Sequence, residues 1–94
     1  MAATINKPAA SDRDSPVLTV YGREDCHLCQ DMIATLREWQ SRLCFHLEVV
    51  DVDSDDELKS RYGERVPVLM AGDEEICHYY FNPAALDAYF AKIR

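Results

Sequence analysis

The segment VLTVYGREDCHLC, Val17 to Cys29, joins two patterns. Val17 to Tyr21 form a short β-branched and aromatic run that stops at Gly22, which marks a short buried strand. Beyond the loop, Leu28, Cys29, Met32, Ile33, Leu36, Trp39 and Leu43 fall on one face of an α-helix from about Cys26 to Arg42. At the seam stand two cysteines three apart, with Arg23 and His27 among the acidic Glu24 and Asp25. Three chemistries fit such a pair: a reactive dithiol, half of a metal site, or two small core residues.

Downstream, CFHLEVVDV (Cys44 to Val52) alternates Phe45, Leu47 and Val49 and predicts a second strand. Ser54 with Glu57 three residues later forms a capping box for a short helix to about Tyr62, stopped by Gly63. VPVLM, Val66 to Met70, predicts a third strand. A turn at AGDE and a fourth strand from Glu75 through Tyr80 complete a hairpin. Asn82 caps a last helix with Pro83 at its first position, and Ala85, Leu86, Tyr89, Phe90 and Ile93 form its apolar stripe. The order is β-α-β-α-β-β-α. A right-handed first crossover makes strands one and two parallel, and helices then cover both sheet faces.

This order separates the cysteines. The long helix spans about 24 Å, so Cys44, which opens strand two, is about a helix length from Cys26 and is expected to be a small buried hydrophobe. Cys26 and Cys29 are neighbours on a first helical turn, a separation compatible with the Cα range a disulfide tolerates. Burial alone explains Cys29, which lies on the apolar stripe. It does not explain Cys26, set among charges at the helix start. Unpaired N–H groups there, Arg23 and a protonated His27 favour a thiolate at Cys26, while Glu24 and Asp25 oppose it. Cys77 and His78 lie in strand four on opposite faces. A structural zinc site normally has a second closely spaced ligand pair, and no such pair follows, so no metal is expected.

Ninety-four residues with a net charge of −7 make one small domain, and an acidic surface argues against nucleic acid as partner. Residues 1–16 are polar, contain two prolines and predict a flexible tail before a domain over 17–94. The chain shows no secretory signal and no run long enough to span a bilayer, so a cytoplasmic location is expected. In that compartment four cysteines point to catalysis, metal binding or burial rather than to a static disulfide framework.

The CxxC at a helix start, followed by VDVDSDDELKSRYGERVPVLMAGDEE, resembles the thioredoxin superfamily over about Val17 to Arg94. Size and YGREDCHLC resemble glutaredoxins in particular. The resemblance implies a thioredoxin fold: a four-stranded mixed sheet in the order 4-3-1-2, helices one and three on one face and helix two on the other. It implies a cis bond before Pro67, a Val66 backbone that pairs with an incoming substrate strand, and Arg23 and His27 beside the substrate. Cys26 is then the nucleophile and Cys29 the resolving thiol of a thiol–disulfide oxidoreductase. No cofactor is expected to be bound, with glutathione a candidate reductant. The expected partners are a disulfide-containing protein or a glutathione mixed disulfide, together with a reductant donor, and the chain is expected to be a monomer. The chain departs from the glutaredoxin pattern at His27, where proline is usual. It departs again at FNPAAL, where Phe81 and Asn82 stand near the paired glycines of a glutathione site and Ala84 and Ala85 replace its acids. A thioredoxin-type reductase independent of glutathione, and a non-catalytic redox-sensing module, therefore stand beside the leading function.

Overall fold

A computed structural model describes residues 15–93. Residues 1–14 of the expected tail, and Arg94, lie outside the described residues. The elements are β1 (Val17–Gly22), α1 (His27–Trp39), β2 (His46–Asp51), a 3-10 turn (Val52–Ser54), α2 (Asp56–Tyr62), β3 (Val68–Ala71), β4 (Glu74–His78) and α3 (Pro83–Ile93). They form one sheet in the order β2-β1-β3-β4, which is the expected order counted from the other edge. β1 pairs parallel with β2 and antiparallel with β3, and β3 pairs antiparallel with β4.

Alternation along β1 sorts the core. Leu18 and Val20 point to the face covered by α1 and α3, where they pack with Met32, Leu36, Leu69, Leu86 and Phe90. Tyr21 points to the other face, stacks on Tyr62 of α2 at 4.2 Å between centroids, and joins Val52, Val68 and Met70. Leu18, Val20, Leu36, Leu69 and Leu86 are wholly buried, each stabilising the fold by about 1.5–3 kcal/mol relative to exposure. No helix among the described residues is long and apolar enough to cross a membrane.

Several boundaries differ from the sequence expectation. α1 starts at His27 and ends at Trp39, because Ser41 donates its hydroxyl to Glu38 O at 2.7 Å and the chain turns through 3-10-type bonds instead of continuing to Arg42. β2 begins at His46, not Cys44. Cys44 is exposed and Phe45 takes the buried position, which corrects the expectation of a buried Cys44. Val49, expected on the core face, is 48% exposed on β2, an edge strand of the sheet. The cap of α2 is Asp55, which accepts from Glu57 N at 2.8 Å; Ser54 instead donates to Asp51 O within the 3-10 turn at 2.6 Å. β3 starts two residues late, after Pro67, which has no N–H to offer the ladder. β4 ends at His78, where Tyr79 takes a φ of 65° and turns the chain out of the sheet. α3 is capped as expected: Asn82 Oδ1 accepts from Ala85 N at 3.1 Å, with Pro83 first in the helix.

Candidate active site

The site lies where β1 ends and α1 begins. Cys26 is the N-cap of α1, in extended conformation, and its Sγ accepts the backbone N–H of Cys29 at 3.1 Å. No acidic residue occupies the first turn of α1, so no carboxylate within the helix competes for that end of its dipole. Cys26 is partly exposed and Cys29 fully buried behind it. Burial pushes the Cys29 thiol up to about 12. Its hydrogen bond with Cys26 acts in the same direction, and a hydrogen bond with the Arg23 backbone opposes it. A partly exposed cysteine therefore caps the helix start, and its partner is held behind as a neutral thiol.

Gly22 makes this packing possible. A Cβ there would stand 2.9 Å from Cys29 Sγ, closer than real side chains approach. Sequence reasoning uses Gly22 only as a strand stop; the close approach is made across the loop, and a small residue just before the dithiol segment is its sole trace in the sequence.

Arg23 is held by two partners that no local pattern connects. Its Nε donates to Asp53 at 3.2 Å and its Nη1 to Gly63 O at 2.9 Å. Lys59 is within 4.0 Å of the same Asp53 carboxylate. Gly63 ends α2 in right-handed conformation, so a left-handed cap is not what requires glycine: a Cβ would collide with the Lys59 carbonyl and press on Arg23. Of the acidic cluster after β2, Asp51 and Asp55 cap turns, and Asp53 anchors the loop before the dithiol.

Val66 and Pro67 precede β3, whose first residue Val68 pairs with Tyr21 at the carboxyl end of β1, so they share the dithiol end of the sheet. The Val66–Pro67 peptide bond is cis. Pro67 is buried and Val66 half-buried. Tyr79 ties this loop down, its N–H donating to Pro67 O at 2.9 Å and its hydroxyl to Glu64 O at 3.0 Å. Glu75 bridges Arg65 to His78, whose Nδ1 lies 2.6 Å from the carboxylate. Burial works against that carboxylate, but hydrogen bonds from Arg65 and His78 hold it below the usual range. His78 therefore serves the proline loop and not the cysteines. His27 is exposed on the first turn of α1. Cys77 lies on the core face of β4, paired with Leu69. Among the described residues, no three His, Cys, Asp or Glu side chains are grouped so as to hold a metal ion.

Residues 17–91 match the family described as Glutaredoxin-like domain (DUF836). The chain belongs to this glutaredoxin-like family. Protein Ne2328 from Nitrosomonas europaea is similar at 41% identity, over 95% of this chain and 98% of that one, with a TM-score of 0.73. Protein XcR50 from X. campestris is similar at 33% identity, over 80% of this chain and 96% of that one, with a TM-score of 0.64. Thioredoxin 1 from Thermosipho africanus, at 15% identity, 81% and 96% coverage and a TM-score of 0.56, shows the thioredoxin fold. No curated protein matches the sequence. A glutaredoxin-like domain on this fold supports a thiol redox role.

Proposed function

We propose that the chain is a thiol–disulfide oxidoreductase that reduces disulfides through Cys26 and Cys29. The Cys26 thiolate attacks a substrate disulfide; a Cys26–substrate S–S bond forms and one substrate thiolate leaves. Cys29 then loses its proton and attacks the Cys26 sulfur, an internal disulfide forms, and the second substrate thiol leaves. Two electrons from an external thiol donor restore the dithiol. The observation that carries this reading is the pairing of a partly exposed cysteine at the α1 start, whose sulfur accepts the Cys29 backbone N–H, with the buried Cys29 behind it. Val66 and Pro67 would form the ledge for an incoming chain, and Arg23 and His27 would border it. A reducing compartment, the cytoplasm, suits four free cysteines.

The donor is the open choice. Glutathione carries two carboxylates and calls for cations and free backbone N–H groups. Near the site Arg23 and Lys59 face Asp53, Arg65 is paired with Glu75, and the start of α3 is closed by Asn82. These pairings favour a protein disulfide as substrate and a donor other than glutathione. Acidic residues around Asp53 would select a basic protein partner by charge, with rates that fall as salt rises. Reduction of a protein disulfide is to be followed with glutathione or with thioredoxin reductase as donor. Turnover with the reductase and weak turnover with glutathione supports the reading. Equal turnover by wild type and Cys26→Ser removes the oxidoreductase assignment.

A further inference from the structure

A cleft of about 310 Å³ opens between α1 and β2, lined by Gly22, Glu24, Gln30, Ile33, Val49 and Asp51 among others. It lies beside the dithiol. Gln30 N donates to Cys26 O at 3.1 Å and Gln30 Nε2 to Glu24 O at 2.9 Å, so the rim is one helical turn from Cys26 and tied to the loop before it. Val66 and Pro67 lead into β3, and β3 and β2 flank β1 on opposite sides. The cleft and the proline loop therefore lie to either side of β1 at the dithiol end. Wall and rim differ in chemistry. Val49, 48% exposed, and the half-buried Ile33 are apolar, whereas Glu24 and Asp51 are exposed carboxylates. Val49 pairs with the core residue Val20 and Asp51 with Gly22, so both project to the α1 face of the sheet. Among the described residues neither carboxylate has an ion-pair partner. Arg23, at the same cleft, gives its Nε to Asp53 and its Nη1 to Gly63 O.

We infer that this cleft receives a lysine or arginine side chain of the substrate protein, two or three residues from the substrate's reactive cysteine. The inference rests on the proposed thiol–disulfide exchange and names what the substrate presents beside its disulfide. A long basic side chain is apolar along its stem and charged at its tip. Val49 and Ile33 match the stem, and Asp51 and Glu24 match the tip. The volume stands at the low end of ligand pockets, about 300–1,000 Å³, and suits one such side chain. A helical turn is about 5.4 Å and an extended chain advances about 3.3 Å per residue, which sets the two or three residues between the disulfide and the cleft. The net charge of −7 draws a basic chain toward the same surface. One Asp51 oxygen accepts Asp53 N at 2.9 Å, which fixes the side chain by a bond that asparagine can keep. Glu48 pairs with Thr19 and projects to the opposite face, so it takes no part.

The test uses the full chain with Cys44→Ser, which removes the exposed thiol. The probes are short peptides with a single cysteine, joined as a mixed disulfide to 5-thio-2-nitrobenzoate. The Cys26 thiolate attacks the peptide sulfur, a Cys26–peptide S–S bond forms, and the coloured aromatic thiolate leaves. Lysine and norleucine, which share an apolar stem and differ in charge, are compared at each position two or three residues from the cysteine. At one of these positions lysine should release colour roughly three- to tenfold faster than norleucine at low salt, the range of one or two exposed charge contacts. The ratio should shrink as salt rises. It should fall to about one in the Glu24→Gln, Asp51→Asn double variant and in Val49→Trp, which fills the cleft and keeps both carboxylates. Glu48→Gln should keep it. A ratio near one in the parent at every position overturns the assignment while the exchange reading stands. So does a ratio that either the double variant or Val49→Trp leaves at the parent value, or one that Glu48→Gln abolishes. Release no faster than from Cys26→Ser overturns both.

Discussion

α1 and α3 begin at the same end of the sheet and cover the same face, yet their first turns are closed by different chemistry. Neither carries an acid in its first turn. At α3 the neutral amide of Asn82 accepts Ala85 N–H and ends the matter. At α1 the acceptor is the sulfur of the partly exposed Cys26, an atom able to form a new bond. The same structural device, an N-cap, holds an amide in one place and, on the proposed function, the nucleophile in the other. What separates them is the element behind each cap: a buried thiol and Gly22 behind Cys26, and an alanine turn behind Asn82.

Serine at the two caps breaks the comparison most sharply. Serine is as good a cap as asparagine, so Cys26→Ser and Asn82→Ser should each shift stability by less than about 1 kcal/mol. Turnover should fall to background in Cys26→Ser and be unchanged in Asn82→Ser, as read by a reductase assay beside urea melts. Loss of activity in both, or in neither, would mean that the caps do not differ as claimed.

The thiol behind α1 gives the next effect. Below about pH 9 Cys29 is protonated in both the folded and the unfolded chain and favours neither. Above it the unfolded chain releases the proton, while the folded chain holds it up to about 12. Stability should therefore fall as pH rises from 9 toward 12, by up to about 1.4 kcal/mol per pH unit from this group. Urea melts of wild type and Cys29→Ala over that range should diverge, with the variant flatter. Parallel curves would show that Cys29 is not held as a neutral thiol.

Gly22→Ala asks whether the packing behind the α1 cap is as tight as the geometry implies. A methyl 2.9 Å from Cys29 Sγ should cost about 1–3 kcal/mol and displace the buried thiol, slowing resolution more than the first attack. A variant as stable and as fast as wild type would contradict it. The smallest effect is at the α3 cap: Asn82→Ala should lose about 1 kcal/mol in melts and no activity.

The order of strands and helices was legible because each apolar run keeps a single period, as VLTVY and the α1 stripe show. The dithiol was legible because CxxC falls where one period gives way to the other. What escaped was set by contacts through space. Arg23 finds Asp53 thirty residues on, since the turn after β2 returns beside the loop after β1. Cys44 reads as apolar, yet Phe45 takes the core and leaves it exposed. Ser54 fits a capping box, but Asp55 stands one residue closer to the helix and takes the cap. Val49 keeps strand alternation, yet it stands exposed on β2 at the sheet edge.

Trapping the half-reaction tests the central claim most directly. Cys29→Ser, mixed with a protein disulfide and analysed by intact mass and peptide mapping, should hold one substrate chain on Cys26 through a mixed disulfide, while wild type should release substrate and carry a Cys26–Cys29 bond. An adduct confined to the exposed Cys44, or no adduct at all, would contradict the account.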